Sequence, residues 1–154
     1  MIEGDPIVWA AKLDNSYESP YHQTTLKQLV TNSIGFPLTA RIGQMYISLT
    51  EALVKDYGDM PMVEGNESRL GQVFLNLLLN AAHAIPEGAT ERNEIRVSTR
   101  TDEQGRAIVE IRDSGTGIAP EIRERIFDPV FTTKPASEGT GLGLWICSGI
   151  LTAL

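Results

Sequence analysis

The segment that most limits the possible folds is "NESRLGQVFLNLLLNAAHAI", residues 66–85. Its apolar residues recur every three or four positions, as on one wide face of a helix. That face comprises Leu70, Val73, Phe74, Leu77, Leu78, Ala81 and Ile85. Asn66 or Ser68 is placed to cap the first turn, and Pro86 and Gly88 end the helix. Because such a helix must bury its apolar face, the chain has to supply a second layer.

Two alternating runs follow this helix and predict strands. In "EIRVSTRT" the residues that share one face are Ile95, Val97 and Thr99. In "AIVEIRD" the alternation puts Ile108 on the side opposite Val109 and Ile111. "DEQG" between the two runs predicts a hairpin turn, so the strands are predicted to be antiparallel.

Shorter signals predict the remaining elements. Helical spacing runs from Leu26 to Leu49 with an interruption at Pro37, and "EALVKDYG" indicates a short strand. A short helix is predicted from Pro120, and "GLWICSGILTAL" predicts the last helix. This order predicts an α/β two-layer sandwich, with a mixed sheet covered on one face by helices. Residues 1–25 are interpreted as an N-terminal extension or linker remnant, and 26–154 as the domain.

Composition narrows the class of partner. The chain has 154 residues, and 13 basic against 20 acidic residues give a net charge of −7. This balance argues against a nucleic-acid partner and against direct membrane contact. No apolar run is long enough to span a bilayer, so a cytoplasmic location is expected, which is compatible with a membrane-anchored parent protein. Cys147 is interpreted as core filler, and Trp9 and Trp145 as packing residues.

Three polar residues interrupt the apolar helix on one side. Asn76 and Asn80 lie one turn apart, and His83 follows on the same side. Such a stripe is what the solvent-facing edge of an amphipathic helix looks like. It also brings amide oxygens to one place, and Mg²⁺ prefers oxygen ligands completed by waters and substrate phosphates.

Two further stretches can serve either as turns or as parts of a site. Asp113 ends a strand before "SGTG", where it could accept a hydrogen bond from an exocyclic amine while Gly115 and Gly117 let a flat ring approach. Lys134 lies in the polar stretch from Asp128 to Glu138, which reads as a solvated loop or as a lid whose lysine and threonines meet phosphates.

The stretch "GTGLGL" has glycine at every second position just before the last helix. Bare backbone N–H groups at a helix N-terminus form a phosphate site, although a glycine-rich turn is the simpler reading of this motif alone.

Four stretches, taken in order, resemble the catalytic, ATP-binding domain of sensor histidine kinases. That family lies in the superfamily that includes type II topoisomerases, heat-shock ATPase chaperones and mismatch-repair ATPases. "NLLLNAAHAI" is similar to the family's N box, "DSGTGI" to its G1 box, "IFDPVFTTK" to its F box and "GTGLGL" to its G2 box. The resemblance covers roughly Leu26 to Leu154 and implies the Bergerat-type ATP-binding fold, with ATP and Mg²⁺ as cofactors.

The resemblance implies a role for each matching residue. Asn80 would ligate Mg²⁺, and Asn76 would support the phosphates or the metal. Asp113 would bind the adenine amino group, and Lys134 would approach the terminal phosphate. Phe127 and Phe131 would anchor the lid. The other nucleotide contacts that it implies are His83, Gly115, Gly117, Ile118, Thr132, Thr133, Gly139, Thr140, Gly141, Leu142, Gly143 and Leu144.

Within the superfamily, the water-splitting ATPases resemble one another in a glutamate four residues before the metal-binding asparagine. Here that position is Asn76, whose amide is no base near neutral pH. This favours phosphoryl transfer to a protein over hydrolysis. Neither His22 nor His83 stands in a phosphoacceptor motif, so the acceptor histidine is expected on another domain. The ending "LTAL" falls where the family usually continues into a strand, so a C-terminal truncation is expected.

The hypothesis is the catalytic fragment of a protein histidine kinase, which passes the γ-phosphoryl of ATP to a histidine-bearing dimerisation domain of its parent. A response regulator would be an indirect partner, and the fragment is expected to be monomeric. Two alternatives stay open: a nucleotide-binding interaction module that phosphorylates nothing, and a serine kinase of the anti-sigma-factor type.

Overall fold

The computed structural model describes residues 8–10, 53–63, 65–85, 93–135 and 139–153. The helix predicted within residues 26–49, the domain boundary at residue 25 and the helix-ending Pro86 and Gly88 lie outside these ranges.

Four strands form one sheet: β1 (Val8–Ala10), β2 (Leu53–Tyr57), β3 (Ile95–Thr101) and β4 (Ala107–Asp113). Their order across the sheet is β1-β4-β3-β2. β4 runs antiparallel to both β1 and β3, whereas β2 and β3 are parallel. The sheet is therefore mixed, as predicted.

β1 lies within residues 1–25, the segment interpreted from the sequence as an extension. Its backbone pairs with β4, with Val8 opposite Glu110 and Ala10 opposite Ile108. Three residues are too few to show an alternating pattern, so periodicity gives no signal for this strand.

The β3–β4 hairpin confirms the predicted turn. Thr101 lies opposite Ala107, and the Asp102 carboxylate accepts hydrogen bonds from the backbone N–H groups of Gln104 and Arg106, at 3.0 and 2.8 Å. Burial acts to raise the pKa of Asp102, but the hydrogen bonds and charge of Arg106, with the N–H of Gln104, outweigh it and hold this pKa below its usual range.

The two α-helices that the structure describes pack on one face of the sheet. Helix α1 (Glu67–Ala84) begins at the cap Asn66, whose side-chain oxygen accepts from the Arg69 N–H at 3.0 Å, as predicted. A 3-10 helix spans Pro120–Arg125, and α2 spans Gly143–Thr152. Within the described ranges, no helix combines the length and the apolar character that crossing a membrane requires.

The core lies between α1, α2 and the sheet. The predicted apolar face of α1 is buried, except for the half-buried Ile85, and packs with Ile95, Val97 and Ile111 of the hairpin. Cys147 of α2 is completely buried in the same cluster, which confirms its interpretation as core filler. Trp145 is 49 % exposed, so its interpretation as a packing residue is wrong. It lies two residues before Cys147 on a short helix and faces away from the core.

Candidate nucleotide-binding site

A cleft of about 500 Å³ opens between α1, the end of β4 and the segments that precede α2. This volume is within the range of about 300–1,000 Å³ typical of small-molecule sites. All the predicted nucleotide-contacting residues except Phe127 and Leu142 line it. The fold therefore brings together residues that are up to 68 positions apart in the chain, from Asn76 to Leu144.

Two isoleucines in and after the 3-10 helix, neither of them a predicted site residue, also line the cleft. Ile122 lies in the 3-10 helix and Ile126 directly follows it. Their spacing of four residues in "EIRERIF" was a usable signal, because it puts both on one side of a helical turn. They add apolar surface to a cleft whose predicted residues are mostly glycine or polar.

The wall formed by α1 carries the polar stripe. Asn80 Oδ1 lies 3.4 Å from the Lys134 ammonium nitrogen, and His83 Nδ1 lies 3.1 Å from the same nitrogen. Asn76 makes different contacts: its side-chain N–H group donates to the Gly143 carbonyl at 3.3 Å and to the Cys147 sulfur at 3.7 Å. The stripe is therefore not a simple solvent-facing edge, since its members contact the lid and α2.

We call residues 113–117 the β4 turn. The Asp113 carboxylate accepts from the Gly115 N–H at 2.9 Å, and the Thr116 N–H donates to the Ala84 carbonyl at the end of α1 at 3.0 Å. A Cβ atom on Gly115 would lie 2.4 Å from that carbonyl oxygen. The turn thus lies directly against α1, and only glycine fits this approach.

We call the described residues 128–135 the lid. Thr132 Oγ1 accepts from the Lys134 N–H at 3.1 Å, and the guanidinium carbon of Arg125 lies 4.6 Å from the centre of the Phe131 ring. Val130 is 70 % exposed and has a φ of 66°, a conformation that a β-branched residue rarely adopts. The lid therefore includes a strained residue directly before Phe131, which lines the cleft.

The glycine-rich turn approaches the lid closely. A Cβ on Gly139 would lie 2.7 Å from Thr132 Oγ1, and a Cβ on Gly141, whose φ is 68°, would lie 2.4 Å from the Val130 carbonyl carbon. A Cβ on Gly143 would make only an ordinary contact, 3.8 Å from Asn76. The close approach of the lid thus requires glycine at positions 139 and 141, whether or not a ligand is bound.

The N-terminus of α2 is open to an anion. Its cap residue, Leu142, supplies no side-chain hydrogen bond, and the first turn carries no acidic residue. Gly141, Gly143 and Leu144 line the cleft at this helix end. Unsatisfied N–H groups and the positive end of the helix dipole favour a phosphate group there.

The cleft fits a metal ion only in combination with a ligand that brings its own oxygens. Within the described ranges, no cluster of three or more His, Cys, Asp or Glu residues could hold a metal. Asn80 offers an amide oxygen, and the ammonium group of Lys134 already lies against it. One protein oxygen is enough for Mg²⁺, because this ion keeps several waters and takes substrate phosphate oxygens as its other ligands.

The chain is similar to sensor histidine kinases. It is 45% identical over 89 residues to ZraS of Salmonella typhimurium, which covers 58% of this chain and 18% of the relative. It is 32% identical over 135 residues to AtoS of Escherichia coli, which covers 88% of this chain and 21% of the relative. The chain therefore spans about a fifth of the length of these curated relatives.

A solved structure supports the same relation. The structure of the mycobacterial sensor histidine kinase MprB matches with a TM-score of 0.63 and 26% identity. The match covers 84% of this chain and 77% of that chain. The α/β fold with a mixed sheet is thus shared with histidine kinase catalytic domains.

Two family matches overlap at residues 65–77. Residues 1–77 match the N-terminal family of glycosyl-hydrolase 97. The AtoS alignment covers 88% of the chain, so it also runs through most of residues 1–77. Residues 65–154 match the family described as histidine kinase-, DNA gyrase B- and HSP90-like ATPases. This second match contains the complete cleft, and the chain belongs to that ATPase family.

Proposed function

We propose that the chain binds Mg-ATP in the cleft and transfers the γ-phosphoryl group to a histidine on a separate dimerisation domain of its parent protein, in two-component signalling. The observation that carries this proposal is the convergence of Asp113, Asn80 and the open N-terminus of α2 on one cleft. The relatives, which are named as histidine kinases, support the choice of acceptor.

The adenine ring would lie at the β4 turn. Asp113 keeps acceptor capacity beyond the bond to Gly115, since a carboxylate has about four lone-pair sites, and can receive the adenine amino group. Gly117 and Ile118 would complete this end of the cleft. Phe127 does not line the cleft, so it would affect the nucleotide only indirectly, by anchoring the lid.

The phosphates would lie between α1 and α2. Asn80 would hold Mg²⁺ by its amide oxygen, and the ion would neutralise phosphate charge in a chain whose net charge is −7. The N–H groups of Gly141 and Gly143 would meet the phosphate oxygens. Thr132, Thr133 and Lys134 would approach the terminal phosphate from the lid, with the ammonium as a point charge.

Transfer is favoured over hydrolysis by the residues at hand. Asn76 is an amide that donates to α2, so it cannot take a proton from water. Among the described residues that line the cleft, Asp113 is the single carboxylate, and its proposed role is to bind the adenine amino group. What the chain supplies is orientation and charge stabilisation, which is most of what a loose phosphoryl transition state needs.

Calorimetry with ADP and a non-hydrolysable ATP analogue tests this function. Asp113→Asn should weaken binding of both, and Asn80→Ala should remove the dependence of binding on Mg²⁺. The matched control is Gln72→Ala, an exposed position on α1. Nucleotide affinity that neither site variant changes would refute the proposal.

A second assay identifies the acceptor. The chain is mixed with its separately expressed histidine-bearing domain and radiolabelled ATP. An acid-labile phosphoprotein is the expected product. An acid-stable product would indicate a serine kinase instead, and binding without transfer would indicate a nucleotide-dependent interaction module.

The remaining parts of the proposal concern the parent protein. A response regulator would receive the phosphoryl group from the acceptor domain, and so would be an indirect partner. We propose a cytoplasmic position for this domain, because ATP is available there. Size-exclusion chromatography with light scattering tests the expectation that the isolated chain is a monomer.

A further inference from the structure

Asn76 is the member of the polar stripe that forms hydrogen bonds with α2. Its half-buried side-chain N–H group donates to the Gly143 carbonyl at 3.3 Å and to the Cys147 sulfur at 3.7 Å. Both partners lie about 70 residues further along the chain, in the first and second turns of α2. An asparagine that only served a ligand would not need either contact.

The sulfur of Cys147 makes a second contact with α1. It lies 3.8 Å from the Val73 carbonyl and can donate its S–H proton there, while it accepts from Asn76. The Cys147 side chain is completely buried. Burial raises the pKa of this thiol, although the Asn76 hydrogen bond opposes that effect, so the sulfur stays protonated and inert.

Gly143 accepts the hydrogen bond from Asn76 and also lines the cleft. It is both the first residue of α2 and the last of the alternating glycines, and its neighbours Gly141 and Leu144 line the cleft. A carbonyl held from α1 fixes the position of this first turn. The same helix α1 carries Asn80 one turn after Asn76.

We infer that Asn76 is a positioning residue that fastens the first turn of α2 to α1, and thereby sets the distance between Asn80 and the glycine-rich turn. Its role in nucleotide binding is then indirect. That part of the inference rests on the proposed function, whereas the fastening itself does not.

Thiol reactivity tests the fastening without any nucleotide or metal. Cys147 is the single cysteine of the chain, so reaction with an aromatic disulfide reagent reports on it alone. In Asn76→Ala we expect the rate to rise about tenfold, because local opening at α2 becomes easier. Asn80→Ala is the matched control: it removes the same amide one turn later, and the rate should stay as in the parent chain.

Asn76→Asp separates positioning from direct metal binding. A carboxylate cannot donate to the Gly143 carbonyl and repels it, so positioning predicts faster thiol reaction and weaker ADP binding, by about tenfold. A metal ligand at this position would instead keep or tighten Mg²⁺-dependent binding, because a carboxylate oxygen replaces an amide oxygen.

The outcomes are distinct. A thiol rate in folded Asn76→Ala or Asn76→Asp equal to that of the parent overturns the inference, whatever the nucleotide data. A raised rate with no nucleotide binding by any variant, including the parent, supports the fastening and refutes the proposed function. Circular dichroism establishes that each variant is folded, and Asn76→Ser replaces the alanine variant if that one does not fold.

Discussion

The β4 turn and the lid form two sides of one cleft, but they are held in different ways. The β4 turn is held by the backbone: Ser114 and Thr116 donate to the carbonyls of Glu94 and Ala84, both at 3.0 Å. Among the described residues, the long side chain of Lys134 connects the lid to α1 by its contacts with Asn80 and His83. Its Val130 is strained and exposed.

The β4 turn is therefore a preformed part of the site, whereas the contacts of the lid can be replaced by contacts with a ligand. Backbone hydrogen bonds beside buried strands open only with a large part of the domain, whereas contacts of a half-buried lysine can be exchanged for a ligand. We therefore expect changes in the β4 turn to lower stability, and changes in the lid to alter nucleotide binding at little cost to stability.

The largest effect is expected from Gly115→Ala in the β4 turn. A methyl group there would lie 2.4 to 2.6 Å from three atoms of Ala84, so the turn must move away from α1. The free energy of unfolding should fall by about 2–3 kcal/mol, as for overpacked sites. Urea denaturation measures it. The control is Gly149→Ala, where a methyl meets nothing within 4 Å in α2 and helix propensity predicts a gain of about 0.5–1 kcal/mol.

Lys134→Ala tests the lid. Loss of the ammonium should weaken binding of the ATP analogue about tenfold, or about 1.4 kcal/mol, because a charge-assisted contact to phosphate is lost. The free energy of unfolding should change by less than about 0.5 kcal/mol, since the contacts of this side chain are only half-buried. Calorimetry and denaturation measure the two effects, with Lys55→Ala, a change at an exposed residue of β2, as control. A stability loss as large as that of Gly115→Ala would remove the distinction between the regions.

A smaller effect is expected from Val130→Gly. Glycine adopts the positive φ of 66° without strain, so the variant should be more stable by about 0.5–1 kcal/mol. Val130→Ala keeps the strain and should give no gain, which makes it the control for loss of the side chain. Thermal denaturation measures both, and equal melting temperatures in the two variants would show that the lid stores no strain.

The smallest effect concerns acid stability of the hairpin, away from both regions. Because the pKa of Asp102 is lower when the chain is folded, its stabilising contribution is present above the ordinary carboxyl pKa of about 3.9 and is lost as the pH falls through the lower, folded value. Asp102→Asn should lack this acid-dependent loss and leave ADP binding unchanged. Denaturation measured between about pH 2 and pH 6 tests the first point; the same slope in both proteins would contradict it.

Local patterns predicted most of the secondary structure. The cap at Asn66, the hairpin turn at Asp102 and the start of α2 depend on neighbours within a few residues, so they can be read without the fold. The stripe of Asn76, Asn80 and His83 follows from helical spacing in the same way.

Contacts between distant segments could not be predicted. Nothing near Asn76 in the sequence indicates that its amide contacts Gly143 and Cys147, and nothing near Gly115 indicates that it contacts Ala84. β1 is too short for periodicity, and it depends on β4 for its hydrogen bonds. Trp145 has a large apolar side chain of the kind expected in a core, yet it is exposed.

The sequence by itself determined the kinds of element and the groups capable of binding a nucleotide, because turn chemistry and periodicity act over a few residues. Only the tertiary structure decided which of those groups meet each other, since close packing is set by how helices and strands fit together. The glycines illustrate the division. Their alternation is visible in the chain, but the atoms that exclude a side chain at Gly115, Gly139 and Gly141 come from other segments of the fold.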